Sequence, residues 1–204
     1  MLSLIKHRRK PLSLLLMTSL LSACMVAEVK QEADDERDIV ISEEYGVDAD
    51  VTQKFNQAVE LIGQKQYEKA VTLLTDVTAR TDKHSAPYVN LGVAYAKLGK
   101  IDEAEENLLK ALKINPLHPV TNNELGIVYR QRGRFEDAKK AYQAVISRYP
   151  RFLPAIRNLG ILCDIFMNDL ECAIEQYAAY LEYSPDEKNI QIWLTDLQRR
   201  AGKN

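Results

Sequence analysis

The sequence predicts an all-α fold in which helical hairpins stack into a solenoid over residues 51–204, and three observations point there. Leu91-Gly92, Leu125-Gly126 and Leu159-Gly160 recur 34 residues apart. Ala104, Ala138 and Ala173 follow them in step, as do Pro116, Pro150 and Pro185, with one extra residue inserted in the last unit. From residue 51 onward the chain is rich in Ala, Leu, Glu, Lys and Gln, which favour helix, and sparing of Gly and Pro, which interrupt it. A fixed period of that length marks a row of similar two-helix units, each covering the apolar face of the next.

The chain begins differently. Lys6, Arg8, Arg9 and Lys10 form a basic start, Pro11 to Leu21 is almost uniformly apolar, and Leu21-Ser22-Ala23-Cys24 closes the segment. That order of basic end, apolar centre and small residues is the layout of an export signal. The apolar run is well short of the roughly 20 residues needed to cross hydrocarbon as a helix. A large aliphatic residue, two small residues and then cysteine resembles the cleavage word of bacterial lipoprotein precursors. The resemblance implies that residues 1–23 are a removable signal peptide and that Cys24 is the lipidation site, carrying diacylglycerol on sulfur and a palmitate-type chain on nitrogen. Several acyl chains anchor firmly where one is marginal, since each buried methylene adds about 0.8 kcal/mol. Met25 stands where Asp would retain such a protein in the inner membrane, which implies the periplasmic side of the outer membrane.

Removal of residues 1–23 takes away four basic residues and no acid, moving the formal net charge from −2 to −6. Met25 to Asp50 holds ten acidic residues against Lys30 and Arg37. A stretch so acidic and so poor in aromatics reads as a solvated tether over 24–50.

The units follow at 51–84, 85–118, 119–152 and 153–187. Gly92, Gly126 and Gly160 are expected where the two helices of a unit press together, with Ala104, Ala138 and Ala173 opposite them. Gly99 and Gly133 suit the left-handed residue that ends a helix, and Asn168, the next-best residue for that conformation, replaces them in the fourth unit. Proline then blocks continuation of the second helix. The first unit is degenerate: Ala58 stands in for the packing glycine, Lys65 for the turn glycine and Asp82 for the proline. Residues 188–204 form a capping helix with Ile190, Trp193, Leu194 and Leu197 as its apolar stripe.

This pattern of a large residue, Leu-Gly, Tyr, Ala, a bulky residue and Pro, as in Tyr88, Leu91-Gly92, Tyr95, Ala104, Leu108 and Pro116, resembles the tetratricopeptide repeat. The resemblance implies about four repeats plus the cap, and a concave groove lined by the first helix of every unit. Carried over position by position, the groove takes Phe55 and Val59 from the first unit, Val89, Asn90 and Val93 from the second, Asn123, Ile127 and Arg130 from the third, and Arg157, Asn158 and Ile161 from the fourth. A partner's apolar side chains would lie on the aliphatic floor, its backbone amides on the asparagines and a carboxylate on the arginines.

Cys163 and Cys172 lie nine residues apart across the turn of the fourth unit. Two readings stand: a disulfide, which an oxidising compartment permits, or two buried thiols. Neither a cofactor nor a metal site is expected, because His84 and His118 have no ligand spacing to any cysteine or carboxylate. There is no phosphate-cradling glycine loop and no nucleophile placed beside a base in a recognisable motif. The run Arg130, Arg132, Arg134, Lys139 and Lys140 is basic, yet export argues against nucleic acid. The reading is therefore a non-catalytic, lipid-anchored scaffold that binds envelope proteins and is no enzyme. It resembles pilotins of type IV pilus assembly, lipoproteins of tight-adherence pili and adaptors of peptidoglycan enzymes. A regulatory subunit of a cell-wall enzyme, or a self-associating structural lipoprotein, is the alternative.

Overall fold

The computed structural model describes residues 48–202, so the signal segment, Cys24 and most of the acidic stretch lie outside the described residues. Four helical pairs follow one another: α1 (Ala49–Gly63) with α2 (Tyr67–Arg80), α3 (Ser85–Lys97) with α4 (Ile101–Ile114), α5 (Pro119–Gln131) with α6 (Phe135–Arg148), and α7 (Leu153–Ile161) with α8 (Leu170–Tyr183). The last helix is α9 (Lys188–Arg200). Each helix packs on the next in sequence, and the first helices also touch one another, α1 on α3, α3 on α5 and α5 on α7. One continuous apolar core runs from Val51 to Leu197 through every unit, so the stack holds its own interior. No helix among the described residues is long and apolar enough to cross a membrane.

The period is written in the backbone as a row of left-handed residues. Lys65, Gly99, Gly133, Asn168 and Gly202 all have positive φ, at 59°, 73°, 72°, 51° and 66°. The first four end the first helices of their units and Gly202 ends the cap; the next backbone N–H groups bond back to the helix's last carbonyls, as Lys100 N does to Tyr95 O at 2.9 Å and Arg134 N to Tyr129 O at 2.8 Å. The inserted residue of the fourth unit widens the end of α7 into a π-helical turn, Leu162–Met167. A π turn is the helix's usual way to absorb one residue without losing register on either side.

The packing glycines behave as expected, but their partners differ. A β-carbon at Gly92 would stand 2.5 Å from Leu108 Cγ, and one at Gly160 would stand 2.5 Å from Tyr177 Cε1. At Gly126 it would collide with the Tyr142 ring in the same way. The groups received by the glycines are thus the bulky residues one turn beyond the expected alanines, because a missing side chain makes a hole and a large knob fills it. Ala104, Ala138 and Ala173 are wholly buried beside these contacts.

The cap has the geometry of another first helix. Its Gln191, Thr195 and Gln198 occupy the places of Ile156, Gly160 and Cys163, the face on which a second helix would pack. Polar residues there close the stack to further packing. Ile190 and Leu197 are buried against the fourth unit, and the Trp193 ring lies 5.6 Å from that of Tyr177.

Candidate protein-binding groove

Side-by-side first helices line one face of the stack, and the eleven groove residues expected there divide sharply between its halves. In the first two units most of the expected floor is core, while Asn56 and Lys97 of the same helices are exposed. Phe55 and Val89 are wholly buried, and Asn90 and Val93 nearly so. Only Val59 is part-exposed. Nine of the thirteen residues of α3 are buried, because α3 is flanked by α1, α2, α4 and α5 together. Small residues at Ala86, Gly92 and Ala94 let those neighbours approach, and the groove side chains of this half become core. Asn90 turns inward and donates to Ala86 O at 3.0 Å. These four residues are therefore packing elements and present no surface to a partner.

The second half is open. Ile127, Arg130, Arg157, Asn158 and Ile161 are all part-exposed, whereas Asn123 is buried. Asn158 Nδ2 donates to Asn123 Oδ1 at 3.0 Å, and Asn123 Nδ2 donates to Glu124 Oε1 at 3.1 Å. The asparagine pair ties α5 to α7, which leaves Asn123 unable to hold a partner's backbone. Arg130 is fixed by its surroundings: its guanidinium carbon sits 5.3 Å from the centre of the Phe166 ring, and that ring lies 5.4 Å from Phe135. The Nε of Arg130 is shielded from solvent with no hydrogen-bond partner among the described residues.

Three exposed apolar residues lie beyond the expected positions of this half. Ile165, on the π turn, is 67% exposed, and Phe166 beside it remains partly open. Ile192 of α9 is 64% exposed and continues the row of Phe55, Val89, Asn123 and Arg157 by one more unit. Arg200 closes the end of the face with an ion pair to Asp164 at 3.0 Å. The signal for Ile192 was present in the spacing, had the cap been aligned as a unit. Ile165 and Phe166 had no such signal, since the insertion shifts them off the repeat positions.

Cys163 and Cys172 are joined as a disulfide, with α-carbons 5.8 Å apart, so the bridged reading is the one that the structure adopts. It links the π turn to the first turn of α8. Asp169 caps that helix by accepting from Cys172 N at 3.1 Å, and this N–H, helped by Lys139, holds its carboxyl below the ordinary carboxylate range. The two sulfurs and the Asp169 carboxylate are close, yet each sulfur is spent on the other and has no thiolate for a metal. His84 and His118 stand at the N-termini of α3 and α5, and His118 Nδ1 accepts from Thr121 N at 3.3 Å. Both histidines act as helix-entry residues. Burial pushes the hydroxyls of Tyr142 and Tyr177 well above the usual phenol range, as expected for knobs inside a core.

Three members of the basic run are paired with acids at the α5–α6 turn and along α6. Arg132 pairs with Asp102 and with Glu105 at 2.9 Å, Arg134 with Glu105 at 2.8 Å and Asp137 at 2.9 Å, and Lys139 with Asp169 at 3.3 Å.

Comparison with known proteins agrees with this geometry. Residues 83–151 match the family model described as tetratricopeptide repeat. Over 148 residues the chain is 23% identical to anaphase-promoting complex subunit 3 of Schizosaccharomyces pombe, covering 72% of this chain and 22% of that protein. It is 25% identical over 136 residues to the human superkiller complex protein 3, covering 67% of this chain and 8% of that one. The chain thus spans only a small part of these relatives. Among solved structures, MamA from residue 41 to its end, from Desulfovibrio magneticus RS-1, superposes with a TM-score of 0.67 at 22% identity, covering 76% of this chain and 88% of that one. A thermophilic TPR protein of Thermus thermophilus superposes at 0.65 with 21% identity, covering 73% and 81%. What these share with the present chain is the fold.

Proposed function

We propose that this tetratricopeptide-repeat solenoid is a non-catalytic scaffold that holds a segment of a partner protein along the second half of its groove. The observation that carries the reading is that Ile127, Arg130, Arg157 and Ile161, at groove positions of the third and fourth units, are part-exposed, with Ile165 and Ile192 exposed beyond them. Aliphatic side chains of that exposure gain about 25 cal/mol for every Å² of apolar area that a partner covers. Two arginines on the same face suit a carboxylate or an acidic side chain, and Arg130 is held ready by Phe166, which lowers the ordering cost of binding. The fitting ligand is an extended or helical segment with apolar residues on one side and at least one acid.

The N-terminal word Leu21-Ser22-Ala23-Cys24 supports a lipid anchor at Cys24, and Met25 supports the periplasmic face of the outer membrane as its place. A scaffold so placed would gather components of an envelope machine such as a pilus, secretion, import or peptidoglycan complex.

The test is a pull-down from detergent-solubilised envelopes, with bound proteins identified by mass. Ile165→Glu/Arg130→Glu should release the partner while the helical circular dichroism and melting stay unchanged. Retention of the same partner by the double variant would place binding elsewhere on the molecule. Labelled palmitate should enter the wild type and be absent from Cys24→Ser. Equal labelling of both would remove the anchor from the proposal.

A further inference from the structure

The first helices lie side by side, so every turn that leads from a second helix into the next unit falls on the same edge of the stack. Two of these turns, after α4 and after α6, have an unusual composition. Residues 107–123 and 138–163 contain no Asp or Glu at all. Lys113 and Arg148, in the last turns of α4 and α6, are exposed and make no ion pair among the described residues, and Arg151 follows them. Between these cations stand apolar side chains turned to solvent: Leu117 is 60% exposed, Tyr149 38% and Ile114 37%. The Arg151 guanidinium carbon lies 5.4 Å from the centre of the Tyr183 ring, at the border with the acid-bearing turn after α8.

The opposite edge of the stack is different. There the cations Arg132 and Arg134 are matched by Asp102, Glu105 and Asp137. The outer turns on the near edge are different as well, since they carry Asp82, Asp186 and Glu187. The acid-free, apolar-tipped surface is therefore confined to the two central turns.

We propose that these two turns form a contact surface for an anionic lipid bilayer. Tyrosine at the headgroup level, a leucine and an isoleucine reaching the acyl boundary, and Lys/Arg beside the phosphates are the composition by which interfacial proteins hold a membrane. The charge is complementary, with Lys113 and Arg148 exposed on segments that carry no acid against phosphodiesters on the other side. A protein partner with an acidic surface would use the cations but would have no need of Leu117 at a protruding tip. The contact would stand the stack edge-on to the bilayer and leave the groove open along its side. It rests on none of the groove residues, so either proposal can fail alone.

The test uses residues 25–204, which keep the whole described core and lack the acylated cysteine, in co-sedimentation with vesicles. Wild type should sediment with phosphatidylcholine containing phosphatidylglycerol and remain in solution with phosphatidylcholine alone. Lys113→Gln/Arg148→Gln should weaken the partition about thirtyfold, from the contribution of each cation near an anionic surface. Leu117→Ser should weaken it independently of charge, and Lys83→Gln/Lys188→Gln, on the outer turns, should leave it unchanged. Melting curves matched to wild type establish that the variants are folded. Failure of the wild type to bind anionic vesicles would overturn the proposal, as would equal binding by Lys113→Gln/Arg148→Gln. Tighter binding to a single-stranded oligonucleotide, indifferent to Leu117→Ser, would reassign the surface to nucleic acid.

Discussion

At Gly126 the absence of a single carbon decides how two helices meet. The Tyr142 ring occupies the space that a β-carbon would need, and Tyr142 is wholly buried. Gly126→Ala is therefore expected to cost about 1–3 kcal/mol, the range for overpacking a core, and a urea titration would register it as a lower midpoint. An unchanged midpoint would mean that the ring has an alternative seat. Asp169 acts through its charge. Its folded carboxyl is held below the ordinary value, so its contribution is present in full above the ordinary carboxylate pKa of about 3.9 and is lost as pH falls through the lower folded value. Asp169→Ala should lose about 1 kcal/mol at neutral pH, as for other helix-start caps. The difference from wild type should vanish at strongly acid pH, and a constant gap at all pH values would show that the cap does not depend on ionisation.

At the scale of elements, the fourth unit departs from its neighbours. An inserted residue becomes a π turn, Asn168 takes the left-handed place of glycine, and a disulfide ties the turn to α8. The insertion and the substitution were legible in the spacing and in the residue type. That the insertion would leave Ile165 and Phe166 exposed, with Phe166 against Arg130, was not, because a count of residues does not say where a widened helical turn places its extra side chain. Closing a loop of this length by a disulfide stabilises by about 2–3 kcal/mol in the chain-entropy account. Cys163→Ala/Cys172→Ala should lower the melting temperature accordingly and raise amide exchange in 162–172. Protection unchanged across that segment would show that α7 and α8 hold the turn by packing alone.

For the whole molecule, stability is shared between neighbours, since each unit rests mainly on the next. The cap is where that arrangement is most exposed to test. Ile190 and Leu197 are buried against the fourth unit and cover its last face. Ending the chain after residue 187 would uncover that face and forfeit the burial of two aliphatic side chains, about 3–6 kcal/mol. The expected result is a large fall in melting temperature together with a rise in mass by light scattering. A truncated chain that melts as before and stays monomeric would make α9 a passenger.

The amino-acid order by itself determined the helical class, the period, the places of the turns and the packing glycines. Each of these follows from the backbone preferences of one residue or from a spacing along one helix, and neither needs a neighbour in space. The tertiary structure alone decided which of the expected groove residues reach the surface. Phe55, Val89, Asn90 and Arg157, Asn158 hold equivalent positions in their units, yet the first three are core and the last two are surface. The difference lies in how closely adjacent helices approach. That approach is set by the summed volumes of side chains from several helices at once, Ala86, Gly92 and Ala94 around α3 against the π turn and disulfide beside α7. No repeat position, read singly, contains that sum.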